Sequence, residues 1–181
     1  MTIVYEYSHL GGREILHVRF AALKAEIEQV VREVKVGPRS KVSRERTKKG
    51  RLLHSPIDLN AQFRAAFRAR GFEELRDTYT IQLPGYPHTI KGAFKQIDYV
   101  KDLVLVEVQF GKYAFMFYDL AKFQYFFNEQ RAEVGVEIVP CHAMHKQMSS
   151  GVSYGEQLIY DIERLRRHFP AVPVWAILID V

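Results

Sequence analysis

An α/β fold with a mixed central sheet and helices on both faces is predicted for this chain from three observations. Strand-length apolar runs alternate with longer segments whose apolar residues recur at helical spacing. A hairpin pattern at "IDYVKDLVLVEVQFGK", residues 97 to 112, is followed by helix, strand, helix, strand. The last of these strands, "VPVWAILIDV", is apolar enough to lie inside a sheet.

Taken in order, the chain opens on a short strand, Thr2 to Tyr7. Leu23, Ile27, Val30, Val31 and Val34 then form one face of an amphipathic helix, which Gly37-Pro38 ends. "SPIDLNAQFRAAFRARG" reads as a second helix. Ser55 is its N-cap, Pro56 its first residue, and Gly71 its close, with Leu59, Phe63, Ala66 and Phe67 buried. Pro84-Gly85 and Pro87 place a turn within residues 78 to 92, interrupting a strand there. The hairpin follows, with Lys101-Asp102 near its turn. Tyr118 to about Gln130 is helical, and its aromatic residues around Phe123 to Phe127 are core or dimer surface. Val134 to Val139 is a strand. "YGEQLIYDIERLRRHF" is a helix with Leu158, Ile162, Leu165 and Phe169 on one face, and the closing strand completes the chain.

Length and composition fit one domain over residues 1–181, with 181 residues and 48% apolar side chains. No apolar run reaches membrane-spanning length, and no secretion signal is evident at the N-terminus. The single cysteine, Cys141, cannot form an intrachain disulfide, which fits a cytoplasmic protein. Basic residues outnumber acidic ones by 26 to 21. The distribution says more: Lys35, Arg39, Lys41, Arg44, Arg46, Lys48, Lys49 and Arg51 share one segment with a single acid, Glu45. Such a run is either a solvated loop or a phosphate-contacting arm. No Gly-rich nucleotide loop is present, so no nucleotide cofactor is expected. Cys141, His142 and His145 lack an evident fourth zinc ligand and read as a surface turn. His9 and His54 are either structural, as lone histidines usually are, or placed near phosphate.

The chemistry concentrates on the hairpin. Alternation puts Leu103, Leu105, Glu107 and Gln109 on one face of its second strand, and Asp98 lies on the partner strand. Two carboxylates so placed repel unless a counter-charge relieves them. Either Asp98 sits at the solvent edge and Glu107 pairs with a base such as Lys95, or the two hold a hard cation. Mg²⁺ is suited to one or two carboxylates plus substrate phosphate, and the Val108 carbonyl could add an oxygen.

Asp98 followed by Glu107-Val108-Gln109, on a hairpin that leads into a helix, resembles the PD-(D/E)xK nuclease superfamily. More closely, the sequence resembles the BglII/BstYI type II restriction endonucleases, which carry glutamine where lysine is usual. The likeness extends over "YSHLGG", "TKKGRLLHSPIDLN", "DYVKDLVLVEVQFGKYAF", "VGVEIVP" and "MSSGVSYGE", nearly the whole chain. It implies a restriction-endonuclease-like core and Mg²⁺-dependent hydrolysis of double-stranded DNA. It also implies a homodimer cutting a palindrome with a GATC centre and a four-base 5′ overhang. Asp98, Glu107 and the Val108 carbonyl would bind the metal, and Gln109 would position water by hydrogen bonding. Lys48 and Lys49 are the first candidates for phosphate contact. Ser149, Ser150 and Gly151 are candidates for base reading, unless they form only a turn that caps the next helix. Lys112 is placed to reach DNA near the cut. A repair or recombination nuclease, or a DNA-binding protein with an inactive site, are the alternative functions.

Overall fold

The computed structural model describes residues 1–181. Six strands form one sheet in the order β1-β8-β7-β6-β5-β4, and β2-β3 form a separate two-stranded pair. β1 (Thr2–His9), α1 (Gly12–Arg19) and α2 (Ala21–Glu33) lead into the basic segment, which contains only the short pair β2 (Lys41–Val42) and β3 (Leu52–Leu53). α3 (Pro56–Ala69), β4 (Glu73–Gln82), β5 (Thr89–Lys101) and β6 (Val104–Val108) follow. The chain ends with α4 (Tyr113–Asn128), β7 (Val134–Pro140), α5 (His142–His145), α6 (Gly155–Leu165) and β8 (Val174–Asp180). The mixed α/β architecture is the one predicted.

β6, β7 and β8 run parallel, while β1, β5 and β4 run antiparallel to their neighbours. β6 and β7 are buried at every residue, as central parallel strands should be. α4 and α6 cover the face that bears Gly135, Val139 and Leu178; a Cβ on Gly135 would strike the Phe123 ring of α4, and one on Gly155 would meet Val139 and Leu178. The opposite face packs on α2 and α3, with Lys24 over Trp175 and Phe67 stacked on Tyr99 at 4.5 Å. The two faces share a continuous core of 38 buried residues, including Phe63, Phe67, Phe123 and Phe126. The α4 aromatics Phe123 and Phe126 thus belong to the core.

The turn expected within residues 78 to 92 is present, with Pro84-Gly85 in the loop between β4 and β5. Two elements differ from expectation. α1 was not predicted; only Gly12 and Leu16 of it are buried, too few to mark a helical stripe. On α6 only Leu158 and Ile162 of the expected face are buried; Leu165 is exposed, because the helix ends there.

Gly12 opens α1 against the backbone of β8, where a Cβ would lie 2.5–2.6 Å from Val174 backbone atoms. Strand backbone inside a sheet cannot yield as a flexible side chain can. Gly12→Ala is therefore expected to cost about 1–3 kcal/mol, the range for overpacking, read as a lower urea midpoint at unchanged slope.

Candidate active site

The β5–β6 hairpin turns through Asp102 and Leu103, both at positive φ (47° and 67°). A two-residue turn of that hand matches strand twist and sets the register. The register is Lys101↔Val104, Val100↔Leu105 and Tyr99↔Val106, and its continuation sets Asp98 opposite Glu107. Such facing residues have Cβ atoms roughly 4.5–5.5 Å apart. Asp98 is exposed, and Glu107 is 3% exposed on the face covered by α4. In the parallel ladder Glu107 lies beside Glu137 of β7, which is fully buried and has no hydrogen-bond partner for either carboxylate oxygen.

α4 completes the cluster. Asp119 and Lys122 lie one turn apart and point at the strands. Lys122 Nζ pairs with Glu107 Oε1 and, at 2.8 Å, with Asp119 Oδ1. Gln109 is held at both ends of its amide: Gly111 N–H donates to its Oε1 at 2.8 Å, and its Nε2 donates to Asp119 Oδ2 at 2.7 Å. A backbone N–H can only donate, so the amide orientation is determined. A chain of contacts thus runs from Gln109 through Asp119 and Lys122 to Glu107. The partner of Glu107 is Lys122, not Lys95, whose ammonium donates to Tyr79.

Burial drives the electrostatics. It pushes Glu107 up to about 8, with the Asp119 charge adding and Lys122 opposing. Burial also raises Asp119, against the pull of Lys122, and holds Glu137 well above the carboxylate range. Burial alone would lower Lys122, but Glu107 and Asp119 beside it hold it above its ordinary value.

No group of three or more His, Cys, Asp or Glu side chains is placed to hold a metal ion by itself. The donors fit a more open ion. Lys122 bonds Glu107 and Asp119, while Asp98 and Glu137 lie on the strands to either side of Glu107, and both oxygens of Glu137 are orphaned. The charge excess, and a facing pair of carboxylates at the end of β6, suit a divalent cation of the Mg²⁺ kind.

The other candidates lie around this edge. The Gln109 N–H donates to Ile138 O, so the ladder runs on past Val108. Lys112 is exposed at the N-cap of α4. The Ser153 N–H donates to Gly111 O, tying the 146–154 loop to the loop after β6. The basic segment packs on that loop: Lys48 Nζ donates to Met148 O at 2.8 Å and Lys41 Nζ to Ser149 Oγ at 2.6 Å. Lys48 is thus engaged within the protein, while Lys49, Ser150 and Gly151 are exposed. Cys141 caps the short helix α5. Carboxyl ends of parallel strands are where open α/β sheets bind ligands, and the ends of β6 and β7 lie here.

The profile "Restriction endonuclease BglII/BglIII" matches residues 4–179. The chain belongs to that family. As a BglII-family protein it is a type II site-specific endonuclease. Its fold is similar to the crystal structure of restriction endonuclease BglII complexed with a DNA 16-mer. The TM-score is 0.76 at 21% identity, over 99% of this chain and 78% of that one. Free BglII gives a TM-score of 0.70 at 18% identity, over 100% and 80%. No curated protein sequence matches the chain.

Three residues of the cluster around Glu107 escaped sequence reasoning: Asp119, Lys122 and Glu137. Signals existed for them. Glu137 interrupts the apolar "VGVEIV", and Asp119 and Lys122 are an i,i+3 pair within a mostly aromatic helix.

Proposed function

We propose that this chain, acting as one domain over residues 1–181, cleaves double-stranded DNA at a palindrome with a GATC centre. The reaction is Mg²⁺-dependent and leaves a 5′ overhang, and the working form is a cytoplasmic homodimer. The observation that carries this reading is Asp98 facing Glu107 at the carboxyl end of β6, above a buried cluster with excess negative charge. Family membership and the DNA complex of its structural neighbour support duplex DNA as substrate. No helix is long and apolar enough to cross a membrane.

Asp98, Glu107 and the Val108 carbonyl would hold the ion. An ion held by these residues would lower the pKa of a water and offset charge on a phosphoryl oxygen. Asp98 approaches substrate from the exposed side of the hairpin. Gln109, anchored through Gly111 and Asp119, presents a fixed neutral dipole beside that position and carries no charge of its own. Lys49 and Lys112 supply exposed cations for phosphates, and Ser149, Ser150 and Gly151 offer hydroxyls and open backbone to base edges. In a two-fold dimer each half of a palindrome meets the same surface.

Incubation with phage DNA and Mg²⁺ tests the reading. Discrete fragments are expected, with identical end sequences containing GATC, and Asp98→Asn should remove them while leaving duplex binding in Ca²⁺. Intact DNA under all divalent ions, or cleavage undiminished in Asp98→Asn, would refute it.

A further inference from the structure

Glu45 is the one acid in the basic segment, and its placement is specific. Both carboxylate oxygens accept from the Ser150 backbone N–H, at 3.1 and 3.0 Å. The same contact depresses its pKa. Glu45 is itself held in a tight turn: its N–H donates to Ser43 Oγ at 3.3 Å, and its carbonyl accepts from Lys48 N–H at 3.0 Å. Ser43 beneath it is buried and bonded to Arg51 and Gly50. The 148–150 segment is therefore gripped at three consecutive residues: Lys48 on the Met148 carbonyl, Lys41 on the Ser149 hydroxyl and Glu45 on the Ser150 amide. Lys41, Arg44, Glu45 and Ser149 line an open cavity of about 460 Å³ between the two segments.

We propose that Glu45 is a specificity-positioning residue. It locks the Ser149–Gly151 loop in its base-reading conformation and joins that loop to the cationic arm on the phosphates. This inference rests on the reading of the loop given above. The physical basis is directional. A carboxylate on a backbone N–H makes a charge-assisted bond along the N–H direction, whereas each lysine ammonium is a point charge that can reach its carbonyl or hydroxyl from a wide range of directions. The far end of the same loop is fixed to Gly111, beside Gln109, by the Ser153 N–H. A loop held at both ends transmits a mismatched base to the hydrolytic strand as a displacement. One released at Ser150 absorbs the mismatch instead.

The test is Glu45→Ala, read by single-turnover cleavage at saturating enzyme, so that the added positive charge on non-specific binding drops out. Rates are compared at the preferred site and at its best single-base variant. The ratio is expected to fall about tenfold, with the loss falling on the preferred site. Glu45→Gln, which keeps one acceptor for the Ser150 N–H, should lie between Glu45→Ala and the unsubstituted protein. In DNA-free protein, Ser150 amide exchange should accelerate by about tenfold or more in Glu45→Ala. An unchanged ratio, or both rates falling equally, overturns the proposal, as does unchanged Ser150 exchange. Should Glu45→Ala fail to fold, Glu45→Gln decides by the same ratio. If the unsubstituted protein cuts no DNA, the nuclease reading fails. The exchange measurement then still reports whether Glu45 holds the loop.

Discussion

Glu107→Gln is expected to reduce DNA cleavage by on the order of 10³-fold while duplex binding in Ca²⁺ persists, since the proposed metal site loses one of its charges. The amide is isosteric and can still accept from Lys122, so the β5–β6 hairpin and its packing on α4 should survive. The substitution has a second readout in metal-free protein. Glu107 has an unfolded value of 4.5 and a folded value of about 8. Between these values the folded state binds the proton that the unfolded state has released. Stability therefore falls as pH rises toward 8. Depressed histidines, His54 and His145, act in the opposite direction only near and below their ordinary value of 6.5. Urea unfolding in EDTA from pH 7 to 8 should thus show declining stability, and Glu107→Gln should flatten the slope. An equal slope in both proteins would remove Glu107 as its source.

Lys122→Met should give the largest loss of stability. Lys122 is the one ammonium among Glu107, Asp119 and Glu137, and its side chain is only 13% exposed. Methionine fills similar volume but leaves two paired carboxylates without their counter-charge. Removing one partner of a buried ion pair costs about 3–5 kcal/mol. For a domain of this size that corresponds to a fall in Tm of about 10 °C. Lys122→Arg keeps the charge and should recover part of it. Calorimetry at pH 8 in EDTA checks both variants. A change of less than a degree in Lys122→Met would show that the carboxylates are accommodated without the lysine.

How far the fold was legible depended on how each element hides its apolar surface. β6, β7 and β8 are buried on both faces and read as apolar runs, broken only by Glu107 in β6, Glu137 in β7 and the terminal Asp180 of β8, so they were recognised at once. β4 is an edge strand without a fully buried residue, and its sequence "EELRDTYTIQ" carries little hydrophobic signal. α1 buries two residues. Asp98, Glu107 and Gln109 were legible because they lie on one hairpin, where local alternation places them. Asp119, Lys122 and Glu137 reach the same point only through the parallel crossover from β6 through α4 to β7, which no local spacing reveals. The grip of Glu45 on Ser150 spans 105 residues of chain and depends wholly on tertiary packing.

The turn at Asp102-Leu103 and the crossover that follows have one more implication. Every member of the proposed hydrolytic cluster, from Asp98 to Glu137, belongs to a single uninterrupted stretch of chain folded as β5-β6-α4-β7. The segments assigned to phosphate contact and base reading lie almost wholly outside it, on either side in sequence. On the proposed reading, such a layout separates the cutting machinery from target choice. New target preferences can evolve, or be engineered, by exchanging the flanking loops while the interior unit is inherited intact.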